Sequence, residues 1–525
     1  MKSQKPNENP LLDPLFNYTS GRWLWDEATH LRKRHQPFNV NGLKAVASKS
    51  VNARCCTSIT KLSEGSYNKV FLLIMDNGVQ AIARIPNPYL PPRVSTASEV
   101  ATLDFLRTEL DIPVPRVLAW SNNKDQSVEA EYIIMEMAPG EELGKSWMSM
   151  DISERVNIVS QLANIQARAC SIDFKSYGSL YYRGDIDGCL DIPGISDRFC
   201  IGPSAAMSFW EAEREAMDKY RGPWTSPESY AKDVARREIE WIRRFAKPRD
   251  RADPLRQSTS QESPDSHIQL LDKYLKIIPL VLPSNVDLYR PTIWHPDLHS
   301  GNIFIKNQKI VSIIDWQGCM SLPLFMNCKL PKFLRINGPL LFDLPPATGL
   351  TAEEKKETLL RYEHTQLQRF YISKFKNLDP HIFQAISYPH AIIRQQLIDF
   401  AGSTWEDDGL FFLRDMMHNV WRNWDEMTSK PNEKCPITFG PKEISSHIAE
   451  GDIWNNYKAF FDSLDIPLDG WVHPEDFKSK AGVMRNLARE LLDSADDRDE
   501  ARQALRAWKL SDPNSTSLCS KVMDI

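Results

Sequence analysis

Ile293-Trp294-His295-Pro296-Asp297-Leu298-His299-Ser300-Gly301-Asn302-Ile303-Phe304-Ile305 is the stretch that decides the reading of this 525-residue chain. Thirteen residues beyond Asn302 comes Asp315, within Ile313-Ile314-Asp315-Trp316-Gln317. Between them, Asn302–Lys306 and Lys309–Ile314 read as two short apolar strands that turn at Asn307-Gln308. Such a hairpin sets the Asp297-to-Asn302 loop at the start of its first strand and Asp315 at the end of its second. Three polar groups therefore converge although their separations in sequence differ.

Those residue types suit phosphoryl transfer, which asks for positioning and charge neutralisation more than for covalent help. A carboxylate beside an acceptor hydroxyl can orient it and take its proton, a role that fits Asp297. Mg2+ prefers hard oxygen ligands in octahedral geometry; the Asp315 carboxylate and the Asn302 amide oxygen can hold it against phosphates. Taken singly, Asp297 and Asp315 could be turn caps, and His299 an ordinary loop residue. The ordered set is what favours chemistry. His295 is expected to brace the loop.

Kinases place an Asp, four further residues and an Asn, then a second, metal-binding Asp at a strand end. Here the loop opens His295-Pro296-Asp297 instead of His-Arg-Asp, and Asp315 is followed by Trp316-Gln317 instead of Phe-Gly. In both respects the sequence resembles the aminoglycoside phosphotransferase and choline kinase superfamily, whose loop reads His-x-Asp-x-x-x-x-Asn and whose metal motif is commonly Ile-Asp-Trp/Phe. The resemblance implies an α+β, bilobal protein-kinase-like fold with a small β-rich N-lobe and a large, mostly helical C-lobe. It also implies ATP and Mg2+ as cofactors. A narrower likeness lies in Tyr18-Thr19-Ser20-Gly21-Arg22-Trp23-Leu24-Trp25, Ala83-Arg84-Ile85-Pro86 and Ser98-Glu99-Val100-Ala101-Thr102-Leu103. These resemble the fungal group named for altered inheritance of mitochondria, protein nine. That name implies a mitochondrial link, whereas an N-terminus with Glu8, Asp13 and no Arg before Arg22 is a poor import presequence and points to the cytoplasm.

On this reading the N-terminal half supplies the nucleotide side. Lys69–Met75, the turn Asp76-Asn77-Gly78 and Val79–Ile85 form a hairpin. Ahead of it, Gly65 can let backbone approach phosphate, with Ser66 and Asn68 as donors. A plain hairpin turn would use the same residues. Arg84 stands where kinases usually carry a phosphate-contacting Lys, with Glu99 on the following helix as its partner. Arg is a planar, permanently charged fork, so it can clamp phosphate but hold it differently. Glu136 and Met137, at the end of the strand Tyr132–Met137, resemble the hinge whose backbone contacts adenine.

The divisions expected are an extension over 1–54, an N-lobe over 55–138, a helical C-lobe over 139–510 and a tail over 511–525. The extension is given one amphipathic helix around Trp23–Lys33. Further helices are expected at Ser95–Leu110, from a capping box at Asp151 through Ala169, at Tyr230–Phe245, from about Ala352, and at Val483–Trp508. Lys247–Ser266 reads as a polar loop and Leu322–Pro346 as irregular.

Composition narrows the partners. A net charge of −5 gives no basic excess for nucleic acid or an anionic membrane, and no apolar run approaches a membrane span. Nine scattered cysteines with no CxxC pair or zinc spacing read as reduced thiols inside a cell. The expected activity is ATP-dependent transfer of a phosphoryl group to a small-molecule hydroxyl. A non-catalytic nucleotide-binding scaffold is the alternative that Arg84 and the glycine-poor turn leave open. The acceptor is not legible; Asp343, Glu406, Asp407 and Asp408 in the acceptor half read as solvated acids.

Overall fold

The computed structural model describes residues 14–511 apart from 125, 196, 250–257, 259, 337, 347, 407–408, 431 and 495–509. The described chain opens with a short strand, β1 (Arg22–Trp23), and the helices α1 (Glu27–Arg34) and α2 (Val40–Ser50). Five strands follow: β2 (Cys56–Glu64), β3 (Asn68–Met75), β4 (Gln80–Pro86), then β5 (Val117–Ser121) and β6 (Tyr132–Glu136) after helix α3 (Val94–Thr108). They make one antiparallel sheet in the order β2-β3-β4-β6-β5.

Strand periodicity sorts this sheet's two faces. Phe71, Leu73, Ala81, Ala83, Ile85 and Ile134 pack with Phe38 and with Leu43 and Ala47 of α2. Fully burying the Phe, Leu and Ile side chains among these contributes on the order of 1.5–3 kcal/mol each. The alternate residues face the other way. The register pairs Val70 with Arg84 and Leu72 with Ile82, and Arg84 in turn with Ile133. Arg84 is thereby delivered to the face that also presents Asn68, Val70 and Ile82, where it meets Glu99 of α3.

The rest is predominantly helical. After β7 (Glu141–Glu142) and α4 (Leu143–Ser146) comes α5 (Ile152–Ala169), opened by the expected capping box between Asp151 and Glu154. A small sheet of β8 (Ser179–Tyr182), β9 (Leu190–Asp191) and β10 (Phe199–Gly202) precedes α6 (Pro227–Phe245) and α7 (Pro264–Val281). Then come β11 (Pro291–Ile293), the hairpin β12 (Ile303–Lys306) and β13 (Lys309–Ile313), β14 (Ser321–Pro323) and α8 (Leu324–Asn327). Helices α9 (Ala352–Leu378), α10 (Pro380–Ile386), α11 (Ala391–Phe400), α12 (Leu410–Arg422), α13 (Trp424–Met427) and α14 (Pro441–Ser463) lead to β15 (Trp471–Val472) and α15 (Phe477–Ser494). Leu103, Ile158, Leu271, Trp294, Tyr371 and Leu397 belong to one continuous core that joins α3 to these helices.

Several elements differ from expectation. Trp23 to Trp25 are not helical: β1 pairs with β15, and Leu24 exchanges backbone hydrogen bonds with Gly470 and Ser511, so the helix starts only at Glu27. Helix α2 was not anticipated, although Asn39 caps it by accepting from the Gly42 N–H. The polar stretch ends earlier than expected, because Ser263 is an N-cap and Pro264 a favourable first helical residue of α7. Part of that stretch, 250–257 and 259, lies outside the described residues, as do 495–508 of the expected last helix and 512–525 of the tail. The segment after Asp315 is mostly irregular but carries β14, α8 and a 3-10 turn, Lys332–Leu334. No helix among the described residues is long and apolar enough to cross a membrane.

Candidate active site

The β12–β13 hairpin turns where the sequence places it. Asn307 and Gln308 both take left-handed conformations, φ 50° and 60°, the pair a tight type I′ connection requires. Its two ends are stitched together: the Ile314 N–H donates to the Asn302 carbonyl at 3.0 Å. Asn302 reaches back with its amide nitrogen to the Asp297 carbonyl at 2.9 Å. That commits the nitrogen and leaves the amide oxygen on the opposite side of the same group.

His295 holds the loop from beneath. Its Nε2 lies 2.8 Å from the Ile314 carbonyl, and its Nδ1 accepts the Asp297 N–H at 3.1 Å. Those two bonds define a neutral imidazole that donates through Nε2. Burial pushes its pKa down to about 4, partly opposed by the Ile314 carbonyl and the nearby aspartates. The ring also packs on Trp316, centroids 4.6 Å apart. His299 plays a local part, accepting the Gly301 N–H.

Asp315 sits at φ 65°, a left-handed conformation few residues other than Gly, Asn and Asp adopt. Its Oδ1 accepts from Arg84 Nη2 at 2.9 Å, while Arg84 Nη1 pairs with Glu99. Arg84 thus bridges the helix carboxylate and the strand-end aspartate. Burial opposes the Arg84 charge, but Glu99 and Asp315 outweigh it and leave the pKa raised. Glu99, 3% exposed, is pushed up to about 7 by burial, against the pull of Arg84.

A cleft of about 660 Å3 opens between the sheet and the hairpin. Gly65, Ser66, Asn68, Arg84, Glu136, Met137, Asn302 and Asp315 all line it, with Val70, Ile82, Phe304 and Ile314 as apolar walls. Glu99 stands behind Arg84, and Asp297 lies outside the cleft wall, joined to it through Asn302. A Cβ on Gly65 would meet nothing within 4 Å, so that turn leaves open space above the cleft. The side chain of Glu136 is turned to Arg116, at 3.0 Å, so its backbone is what the cleft receives.

Two residues that were not singled out complete the arrangement. Gln317 accepts from Asn68 at 2.6 Å and from Arg84 at 3.2 Å, tying the glycine turn to the hairpin's end. Its place beside Asp315 was a usable signal. Lys332 puts Nζ 2.6 Å from Asp297 Oδ1. It arrives from a distant 3-10 turn, so no local pattern announces it. In the other half, Glu406 is ion-paired with Arg214 at 2.6 Å, Asp343 is exposed, and Asp407 and Asp408 lie outside the described residues.

The donor set fits Mg2+. Asp315 and Asn302 offer two hard oxygens on one cleft wall, and such ions usually keep waters and phosphate oxygens as their remaining ligands. No cluster of three or more His, Cys, Asp or Glu suited to a metal occurs among the described residues, so this is not an all-protein cage.

The family model described as the phosphotransferase enzyme family, APH, matches residues 58–326. That span runs from β2 into α8. The chain belongs to the APH phosphotransferase family. A subtelomeric hrmA-associated cluster protein of Aspergillus fumigatus is 32% identical to this APH-family chain over 510 residues, covering 88% of it and 98% of the relative. Altered inheritance of mitochondria protein 9, mitochondrial, of Candida tropicalis is 24% identical, covering 90% and 86%. Among solved structures, an aminoglycoside phosphotransferase APH(4)-Ia with AMP-PNP and hygromycin B aligns at 14% identity and TM-score 0.38, covering 73% of this chain and 98% of the other. The streptomycin–ATP complex of APH(2″)-IIa aligns at 14% and 0.37, covering 71% and 95%. Every proposed site residue falls inside the family match; Lys332 falls beyond it.

Proposed function

We propose that this protein is an Mg2+- and ATP-dependent phosphotransferase acting on a hydroxyl of a small molecule. The observation that carries the reading is the convergence of Gly65, Asn68, Arg84, Asn302 and Asp315 on one cleft, with Asp297 fixed at its edge by Asn302 and His295. Adenine would lie between Val70, Ile82, Phe304 and Ile314, against the backbone of Glu136 and Met137. Arg84, oriented by Glu99, would contact phosphate, and the turn at Gly65 and Ser66 would cover it. Bound Mg2+, held by Asn302 and Asp315, supplies neutralisation of phosphate charge. Asp297 orients the acceptor hydroxyl and takes its proton, with Lys332 holding the carboxylate in place.

A second reading has one observation in its favour. Arg84 occupies an oxygen of Asp315 that a metal would use, which is compatible with a nucleotide-binding scaffold that does no transfer. Label from γ-labelled ATP with Mg2+, offered a metabolite extract, separates the two. The transferase yields a labelled small molecule with the unmutated protein and none with Asp297→Asn. ATP binding without transfer into any extract would favour the scaffold. The mitochondrial label in the names of related proteins is tested by fractionation, with cytosolic recovery as the contrary outcome.

A further inference from the structure

The turn at Gly65 is closed at its base by a pair of charges that have no contact with solvent. Glu64 and Lys69 face each other across β2 and β3 and meet at 2.7 Å, with both side chains 0% exposed. Burying two charges is costly unless every remaining donor and acceptor is used. What uses them is the segment ahead of the sheet. Glu64 Oε2 accepts the Thr19 N–H at 3.1 Å and Lys61 Nζ at 2.9 Å, and Lys61 donates on to the Asn17 carbonyl at 2.5 Å. Lys69 donates to the Arg34 carbonyl and, at 2.9 Å, to Asn87 Oδ1. Asn87 then grips the turn itself: its Nδ2 donates to the Ser66 carbonyl at 3.0 Å and its N–H to the Tyr67 carbonyl at 2.8 Å. A continuous set of bonds therefore runs from Thr19 and Arg34 to the backbone of the turn that faces the cleft.

The same segment is anchored at its far side to the C-terminal helices. Trp471 Nε1 donates to the Tyr18 hydroxyl at 2.8 Å, β1 pairs with β15, and Arg22 lies 3.4 Å above the ring of Phe477. Leu24 and Trp25 share a core with Phe461, Ile466, Val472, Phe477 and Met484. Gly21 passes so close that an added Cβ would come 2.1 Å from Trp471 Nε1.

We infer that Tyr18–Arg34 is a strap that presets the nucleotide-facing turn, acting through Glu64 and Lys69 as positioning residues, and that it couples this turn to the helices around Trp471. The inference rests on the nucleotide reading of the cleft for its functional consequence, but not for the ordering of the turn. Gly65 alone would leave the turn free to sample many conformations. The strap supplies the constraint that a glycine-poor turn with a single fixed shape requires, and it does so from outside the family-matched segment.

The test uses full-length protein and Gly21→Ala, a change remote from the cleft that forces the strap off Trp471. Hydrogen exchange of peptides spanning 62–70 is read first, without nucleotide. The inference predicts faster exchange there while the α9 and α12 helices keep their protection. ADP affinity should then weaken by about tenfold if the competent turn falls to about a tenth of the population, with KM for ATP affected more than kcat. If Gly21→Ala does not fold, Glu64→Gln provides the same two readouts. Unchanged exchange across 62–70 in a folded variant overturns the strap. A wild-type protein that binds no ADP would instead sink the nucleotide reading, and the exchange data would still decide the strap.

Discussion

Protonation of His295 should unlock the loop that carries Asp297, and the size of the effect follows from its surroundings. The imidazole is neutral, accepts the Asp297 N–H and sits 4% exposed. Its folded pKa of about 4 lies below the ordinary 6.5. The unfolded chain therefore binds more protons between those values, and stability falls as pH drops from 6.5 towards 4. A gap of that width amounts to roughly 3 kcal/mol lost by pH 4, about 2 kcal/mol of it by pH 5. His267 and His418 are likewise pushed down to about 4, by burial first, so the wild-type curve sums several groups. The contribution of His295 is isolated by subtracting the curve of His295→Asn.

At pH 7.5 that variant should be less stable by about 2 kcal/mol, the worth of two hydrogen bonds at about 1 kcal/mol each. Wild type loses about 2 kcal/mol through His295 by pH 5 and about 3 kcal/mol by pH 4, so the two curves meet near pH 5 and cross below it. Urea midpoints followed by the fluorescence of the fifteen tryptophans would show this. A stability gap that stays constant from pH 7.5 to 4.5 would refute the assignment of His295 as the neutral brace.

Glu99→Ala leaves Arg84 buried with only Asp315 to balance it, and should cost about 3–5 kcal/mol in denaturant unfolding. Phe71→Ala, which opens a cavity between the sheet and α2, should cost about 3–5 kcal/mol with little change in nucleotide affinity beyond that due to unfolding. Lys332→Met frees Asp297; because the pair is about half exposed, stability should change by less than about 1 kcal/mol while kcat falls and KM for ATP holds.

How much of this was legible depends on how local each signal is. The hairpin at Asn307-Gln308 and the Arg84–Glu99 pair were readable, the first from turn chemistry and the second because strand alternation and one helix suffice to join them. The start of α7 was equally local, yet the polar residues before Ser263 masked its cap and its Pro264. Lys332 was out of reach, since its approach to Asp297 depends on the path of an irregular segment. The strap shows the same limit more sharply. Tyr18–Trp25 is conspicuous as a motif, but Glu64 and Lys69 look like ordinary surface charges on a hairpin until the fold covers them.

Calorimetric binding of ATP, with and without Mg2+, to wild type, Asp315→Ala and Asp297→Asn tests the central claim most directly. The cleft as described predicts Mg2+-dependent binding in wild type, loss of that dependence in Asp315→Ala, and near-normal binding in Asp297→Asn. Mg2+-dependent binding that survives in Asp315→Ala, or disappears in Asp297→Asn, would contradict it.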